Sequence, residues 1–557
     1  MNIPIDLTAN FGELRPDHWH MGLDIRTNQK ENIPVFASAQ GYVAHIGIRP
    51  KSFGRFIVIN HPNGLSTLYA HLNDFNTELE KFVKEQQYLK ESWAIELDIQ
   101  KDRFPVTKGQ FIALSGNSGG SQGPHLHFEI FDTKSTKRLN PLLFGFSLQD
   151  KLPPNLIKIG MYDRSVSVYE KSPVFFQLKN TNSGYIIPKM PVIKTGLKKI
   201  SFAIQAYDLM KSGSSANGIY SAELFVDEKP QISFRIDSID YEETVYMNAH
   251  IDYKSDYYGG AYLQHLSQLP GDEGGVYKQI NSDGVIQLTD TNVHAISIII
   301  KDAFNNSSQL NFSVQYDENL VKEIETLTAP FFIYNYVNVF EKPDFEMFLP
   351  EGCLYDNISQ VYFRTTSALP FAVSALHLIN DASTPVHNNF TVRIKPSVEI
   401  PEEWKNKLLL IRSSKENTVK KAVWQGEWLS AKFGGFGGFQ VVADFIPPSI
   451  NELGIGDTIN LSAADRILFA PRDNYGIKKF RAELNGQWLN FSNDKGKNWI
   501  YKFDDHCPHG IHKLNVLVED IAGNITEKTW WFKRNPYSPP PPAPKKKTVK
   551  KVVKKKK

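Results

Sequence analysis

Strict alternation of polar and apolar positions runs through most of this chain, and it predicts short β-strands rather than helices. The clearest case is Pro124-His125-Leu126-His127-Phe128-Glu129-Ile130. Side chains of a strand point to opposite faces with period two, so His125, His127 and Glu129 share one face and Leu126, Phe128 and Ile130 the other. Upstream, Pro34-Val35-Phe36-Ala37 and Gly41-Tyr42-Val43-Ala44-His45-Ile46 read as strands joined through a glycine turn. Phe56-Ile57-Val58-Ile59-Asn60-His61 and Ser66-Thr67-Leu68-Tyr69-Ala70-His71-Leu72 flank Asn63-Gly64, a strong hairpin signal. Alternation puts Tyr69 and His71 on one face of the second strand. The pattern then switches: Thr77-Glu78-Leu79-Glu80 is a capping-box sequence, and Leu79, Phe82, Val83, Leu89 and Trp93 fall near helical spacing. A helical insertion over about 77–97 is therefore expected. Strand-like Phe111-Ile112-Ala113-Leu114 leads into a glycine-rich loop, residues 115–123, which lacks the Lys-Ser/Thr ending of a phosphate cradle and reads as a flexible rim.

Beyond Pro153-Pro154 helix signals become rare, and the chain repeats itself. Residues 294–306, ending Asp302-Ala303-Phe304-Asn305-Asn306, align without gaps on residues 512–524, ending Asp520-Ile521-Ala522-Gly523-Asn524. Asp208 and Gly218-Ile219 resemble Asp473 and Gly476-Ile477 in the same way. Blocks of short strands and turns suit immunoglobulin-like or other β-sandwiches. The expected organisation is a unit at 1–148, sandwiches at 149–318 and 445–534 around a β-rich region at 319–444, and a Pro-rich spacer with a lysine tail at 535–557. His294 and His512 read as strand-end surface residues. A length of 557 residues supports several cores rather than one.

Charge narrows the function classes. The formal net charge is +3, but residues 545–557 contain nine lysines; without them the remainder stands at −6. A mildly acidic body lacks the basic footprint of a nucleic-acid-binding protein. The two cysteines, Cys353 and Cys507, make neither a disulfide scaffold nor a Cys-based zinc site. No stretch approaches eighteen consecutive apolar residues, so no transmembrane segment is expected.

Candidate chemistry concentrates in the first 148 residues. His18-Trp19-His20-Met21-Gly22-Leu23-Asp24 holds His20 and Asp24 either side of a glycine. Imidazole and carboxylate are good zinc ligands, and a third imidazole would complete an open catalytic site. His125 and His127, roughly 6–7 Å apart along the strand, could supply a ligand and an acid/base group in either order. A helical His-Glu-x-x-His site and a Gly-x-Ser-x-Gly elbow are both absent.

Taken together, His20-x-x-x-Asp24, Asn63-Gly64 through Tyr69-Ala70-His71, Ser115-Gly116-Asn117-Ser118-Gly119 and Pro124-His125-Leu126-His127 resemble the lysostaphin-type (LytM-like) zinc murein endopeptidases. The likeness covers roughly residues 10–145. It implies a mainly β fold: an N-terminal antiparallel β-sheet peptidase domain carrying the helical insertion, followed by the tandem sandwiches. It implies Zn2+ as cofactor, with His20, Asp24 and His127 as ligands and His71 and His125 as catalytic histidines, His125 as base and His71 as transition-state stabiliser or the reverse. Tyr69, on the strand face of His71, lines the cleft or packs. The implied substrate is the peptide part of peptidoglycan, with the sandwiches as spacers or envelope-binding modules. Such a substrate implies a periplasmic or extracellular location, so an export segment is expected upstream of Met1. Two rivals carry different functions: a non-catalytic LytM-like wall-binding or hydrolase-activating protein, and an adhesin-like protein whose sandwiches do the work.

Overall fold

The computed structural model describes residues 1–321 and 330–537, and within them the architecture is mainly β. The spacer and lysine tail expected at 535–557 lie, from residue 538 on, outside the described residues. Among the described residues no helix is long and apolar enough to cross a membrane.

The N-terminal unit is built on an antiparallel sheet. Its strands run in the order Leu7–Ala9, Leu23–Arg26, His125–Asp132, Leu65–Ala70, Arg55–Asn60, Gly41–Ile48 and Ile95–Asp98. The Asn63-Gly64 hairpin forms as its residues dictate: Gly64 takes φ +82°, a left-handed value glycine adopts without strain. A second, three-stranded sheet of Pro34–Phe36, Phe111–Ser115 and Leu72–Phe75 lies beside it. Leu23, Val43, Ile46, Ile57, Ile112 and Leu126 fill the core of this unit. The long central strands matter for register, because His127 pairs with Asp24 on one side and Ala70 on the other.

Two local expectations change. The helix spans Thr77–Leu89 only, and residues expected to prolong it form the strand Ile95–Asp98, paired with Gly41–Ile48. Its cap lies one residue earlier than the capping-box reading: Asn76 accepts the Leu79 N–H at 3.0 Å, while Glu80 reaches back to the Phe75 N–H at 3.1 Å. Sequence spacing alone does not distinguish two cap frames offset by one residue. The second change is at His71. It takes φ +58° and divides the expected strand into Leu65–Ala70 and Leu72–Phe75.

The repeat seen in the sequence appears as two long hairpins, Val293–Lys301 with Ser307–Tyr316 and Gly510–Asp520 with Ile525–Arg534. Between them, two five-stranded sheets pack around Phe345, Val392, Leu410, Phe436 and Val441. The cores interlock along the chain. Phe11, Trp19 and Met21 from the N-terminal unit are buried with Ile159, Phe234 and Met247, and Arg138–Leu139 pairs with Ser238–Ile239. His294 sits at a hairpin end between Asp227 and Asp290, as expected. His512 does not: it is buried, its Nδ1 accepting from the Asn485 side-chain amide and its Nε2–H donating to the Pro508 carbonyl. Both cysteines are buried and free.

Asp272 makes a pH-dependent contribution in this region. Burial, with the charges of Glu243 and Glu273, pushes its carboxyl up to about 7 against the Gly274 N–H that favours ionisation. A carboxyl raised above its unfolded value of ~3.9 stabilises the fold most at low pH and loses that contribution as pH rises through the folded value. Asp272→Asn is therefore expected to flatten the dependence of melting temperature on pH between about 4 and 7 and to melt above the parent at pH 8.

Candidate metal centre and catalytic cleft

Register brings the first set of side chains together. Because Leu23–Arg26 pairs antiparallel with His125–Asp132, Asp24 lies directly opposite His127. His20 reaches them from the preceding segment, which is held by paired backbone bonds, Gly12 N–H to His20 O and His20 N–H to Glu13 O, both 2.8 Å. His20 Nε2 lies 2.9 Å from Asp24 Oδ1 and 3.0 Å from His127 Nδ1, and His127 Nδ1 lies 2.9 Å from Asp24 Oδ1. Three donors on a triangle with edges near 3 Å match one face of a tetrahedron around an ion at ~2.0–2.2 Å. All three residues are buried.

Both imidazoles of the triangle are held from behind. His20 Nδ1–H donates to the Asn10 carbonyl at 2.7 Å, leaving Nε2 to face the cluster. His127 Nε2–H donates to Glu129 Oε1 at 2.9 Å, leaving Nδ1 to face it. Glu129 is fully buried and also takes Arg138 Nε–H at 2.9 Å. A hydrogen bond on the remote ring nitrogen fixes the tautomer and orientation a metal ligand needs. Burial opposes charge on Asp24, but the charge on His20 and hydrogen bonds from His125, His127 and His20 hold it well below the usual carboxylate range. Burial likewise opposes protonation of His127, yet its bonds to Asp24 and Glu129 raise it to about 9.

Glycine is required between His20 and Asp24. A Cβ on Gly22 would stand 2.4 Å from the Phe128 carbonyl oxygen and 3.0 Å from His127 Cε1. Gly22→Ala is expected to cost about 1–3 kcal/mol through the backbone shift it forces, and to weaken metal uptake measured by equilibrium dialysis.

The other two histidines face the same space. Positive φ at His71 turns its ring towards His125, with ring centroids 4.7 Å apart. Its Nδ1–H donates to the Ser118 carbonyl at 2.9 Å, and burial with the neighbouring imidazoles lowers it to about 3. His125 Nδ1–H donates to the Gly123 carbonyl at 2.8 Å, while its Nε2 stands 3.3 Å from Asp24 Oδ1. Around these residues opens a cleft of about 800 Å³, rimmed by Arg15, His18, Phe53, Gln122 and Tyr241.

All five sequence-predicted site residues, His20, Asp24, His71, His125 and His127, thus meet at one place. Tyr69 does not: with the chain turned at His71, it packs in the core, its hydroxyl taking the Ser38 N–H at 2.8 Å. His18 pairs with Asp17 on the rim, and His45 and His61 bond elsewhere. Glu129 joins the five although the motif does not mark it; its place two residues past His127 on the same strand face is a signal that alternation carries. Asn10, Ser118 and Arg138 had no comparable signal.

The glycine-rich rim is tied to the far end of the chain. Gly119 N–H donates to Asp494 Oδ1 at 2.7 Å, and Lys495 Nζ donates to the Ser121 carbonyl at 2.5 Å. Nearby, the helix Thr77–Leu89 serves as a docking platform for the same part of the chain. Tyr88 stacks on His506 at 3.8 Å, Lys84 pairs with Asp504, and just past the helix Glu91 pairs with Arg481. Among the described residues lining the cleft, none belongs to this helix. Replacing both Asp494 and Lys495 by alanine is expected to raise KM a few-fold while leaving metal content unchanged, because the rim loosens and the ligands do not move.

Comparison with known proteins places these features in context. Residues 18–93 match the model of peptidase family M23, and residues 329–444 match a Zu5-like domain. An uncharacterized metalloprotease of Haemophilus influenzae is 33% identical over 131 residues, 24% of this chain and 21% of that protein. The peptidoglycan DD-endopeptidase ShyA of Vibrio cholerae is 34% identical over 97 residues, 17% of each chain. The solved catalytic domain of lysostaphin from Staphylococcus simulans aligns at 23% identity over 24% of this chain and 87% of its own, with a TM-score of 0.18. The chain spans about a fifth of the length of these curated relatives.

Proposed function

We propose that the N-terminal unit, a peptidase family M23 domain, is a zinc-dependent endopeptidase that hydrolyses peptide bonds of bacterial peptidoglycan. The observation that carries this reading is the convergence of His20 Nε2, Asp24 Oδ1 and His127 Nδ1, each within 3.0 Å of the others, with both imidazole rings oriented by bonds to Asn10 and Glu129. Two imidazole nitrogens and a carboxylate suit zinc, which would displace the proton His127 otherwise holds, and leave a fourth position open. When bound, the ion supplies Lewis acidity for a carbonyl and makes water a stronger acid.

The remaining chemistry belongs to His71 and His125. His71 carries its proton on Nδ1, where Ser118 accepts it, so Nε2 presents a lone pair to the cleft. That suits it to accept a proton from an attacking water. His125 also carries a proton on Nδ1, bonded to the Gly123 carbonyl, so its Nε2 can donate towards charge developing on the scissile carbonyl oxygen or the leaving amine only as an imidazolium, a form the Asp24 carboxylate 3.3 Å away would pair with. This is the second of the two divisions of labour left open by the motif. The complete donor set argues against a degenerate, non-catalytic relative.

The domain division at 1–148, 149–318, 319–444 and 445–534, with the β-rich regions as spacers or envelope-binding modules, belongs to the same proposal, as does an envelope location. Full-length protein verified to hold zinc in the His20–Asp24–His127 centre is expected to release new amino termini from purified peptidoglycan, identified by mass spectrometry. Intact peptidoglycan after incubation with such protein would sink the enzyme reading.

A further inference from the structure

Outside the cleft, the described residues hold two more clusters in which three carboxylates converge, and they are copies of each other. In one, oxygens of Asp150, Asp208 and Asp302 lie within 4.8 Å of one another; in the other, those of Asp444, Asp473 and Asp520 do so. We propose that these are two buried divalent-cation sites of the oxygen-ligand class, and that calcium is the cation they take.

The free oxygens point to a ligand. Asp150 Oδ2 and Asp208 Oδ1 in the first cluster, and Asp444 Oδ2 and Asp473 Oδ2 in the second, are buried and have no hydrogen-bond partner among the described residues. Asp208 is 3% exposed and Asp444 1%. None of the six carboxylates is in an ion pair among the described residues, although Lys407 and Lys421 approach the second cluster to bond the Gly523 and Ala522 carbonyls. Packing three carboxyl groups together with no cation beside them is costly. A cation removes that cost. Oxygens bound to calcium at 2.3–2.6 Å can stand up to about 5 Å apart, and an all-oxygen set favours a hard ion over zinc.

The duplication is exact in its scaffolding. Asn306 Nδ2 bridges Asp302 Oδ2 at 2.7 Å and the Asp150 carbonyl at 3.3 Å; Asn524 Nδ2 bridges Asp520 Oδ2 at 2.8 Å and the Asp444 carbonyl at 3.1 Å. Ser308 and Thr526 then bond the carbonyls of Pro154 and Pro448, the second prolines of the two Pro-Pro pairs. Both clusters therefore join the same three pieces: the segment entering a β-unit, a loop inside it, and the turn of its long hairpin. The sequence spacing between the pieces differs in the two copies, and the carboxylates meet in both. A cation at each place would fasten the entering segment to the unit it leads into, and so set how successive units are held.

Equilibrium dialysis of the full-length, zinc-loaded protein against radioactive calcium tests this. Two calcium ions per chain are expected, one in Asp208→Asn, one in Asp473→Asn and none in the double variant; His127→Ala is expected to keep both, which separates these sites from the zinc centre. A thermal readout guards against misfolding. Calcium at about 1 mM, within the range of weak extracellular sites, should raise the melting temperature of the parent. Asp208→Asn should melt at or above the parent without calcium and below it with calcium, since the amide relieves repulsion but gives up a charged ligand. Absence of calcium uptake, uptake that survives in the double variant, or uptake of magnesium in place of calcium would each overturn the proposal. None of these results bears on peptidoglycan hydrolysis, so the two readings fail independently.

Discussion

His127→Ala is expected to leave the full-length protein without zinc in its N-terminal centre and without hydrolysis of peptidoglycan. Its Nδ1 is one corner of the three-donor triangle, 3.0 Å from His20 Nε2 and 2.9 Å from Asp24 Oδ1. The informative contrast is His71→Ala. That ring bonds Ser118 and faces His125, so its loss should spare the metal and lower turnover by roughly 10²–10⁴-fold, the usual contribution of a positioned acid or base. Zinc content by atomic absorption, measured beside the rate of amino-terminus release, separates the two roles. Zinc lost from His71→Ala would mean that the ligand set is wrongly drawn.

The second large effect belongs to Glu129, which touches no substrate. It is fully buried between His127 and Arg138. Removing it in Glu129→Ala leaves the Arg138 guanidinium, itself mostly buried, without its carboxylate and His127 without the bond that fixes its tautomer. Breaking a buried pair from one side costs about 3–5 kcal/mol. Losing a metal ligand's outer partner typically costs roughly 10–100-fold in metal affinity. Glu129→Gln keeps an acceptor for His127 and should recover part of the affinity while remaining less stable than the parent. Denaturant melts and competitive zinc titrations read these separately; unchanged zinc affinity in Glu129→Ala would refute the orienting role.

Several features of this molecule were readable from residue order alone, and the reasons are local. Alternation in His125-Leu126-His127-Phe128-Glu129-Ile130 announces a strand with its polar face towards the cleft, because side-chain direction in a strand follows from the backbone. Asn63-Gly64 announces its hairpin because a tight turn demands positive φ. The repeat ending in Asp302 through Asn306 and Asp520 through Asn524 announces two equivalent hairpins, since the same turn chemistry recurs at the same spacing. Where local signals compete, the reading slips. Asn76 and Thr77 are both acceptable caps, and Ile95-Glu96-Leu97-Asp98 alternates as a strand while its neighbours keep helical spacing; pairing with Gly41–Ile48 decides it.

By itself, then, the sequence determined the mainly β character, the five candidate side chains and the kind of chemistry they can perform, because residue type and local periodicity carry that information. Which nitrogen of each imidazole faces the centre of the donor triangle, that Tyr69 turns inward at the break before His71, and that Glu129 backs His127 were decided only in the folded chain. The same holds for the contact of Asp494 and Lys495 with the cleft rim and for the meeting of Asp150 with Asp208 and Asp302. Each of these depends on strand register, or on the approach of segments far apart in the chain. A one-residue change of register would send every side chain of a strand to the opposite face, so such meetings are properties of the closed sheet and the packed units rather than of any stretch of residues.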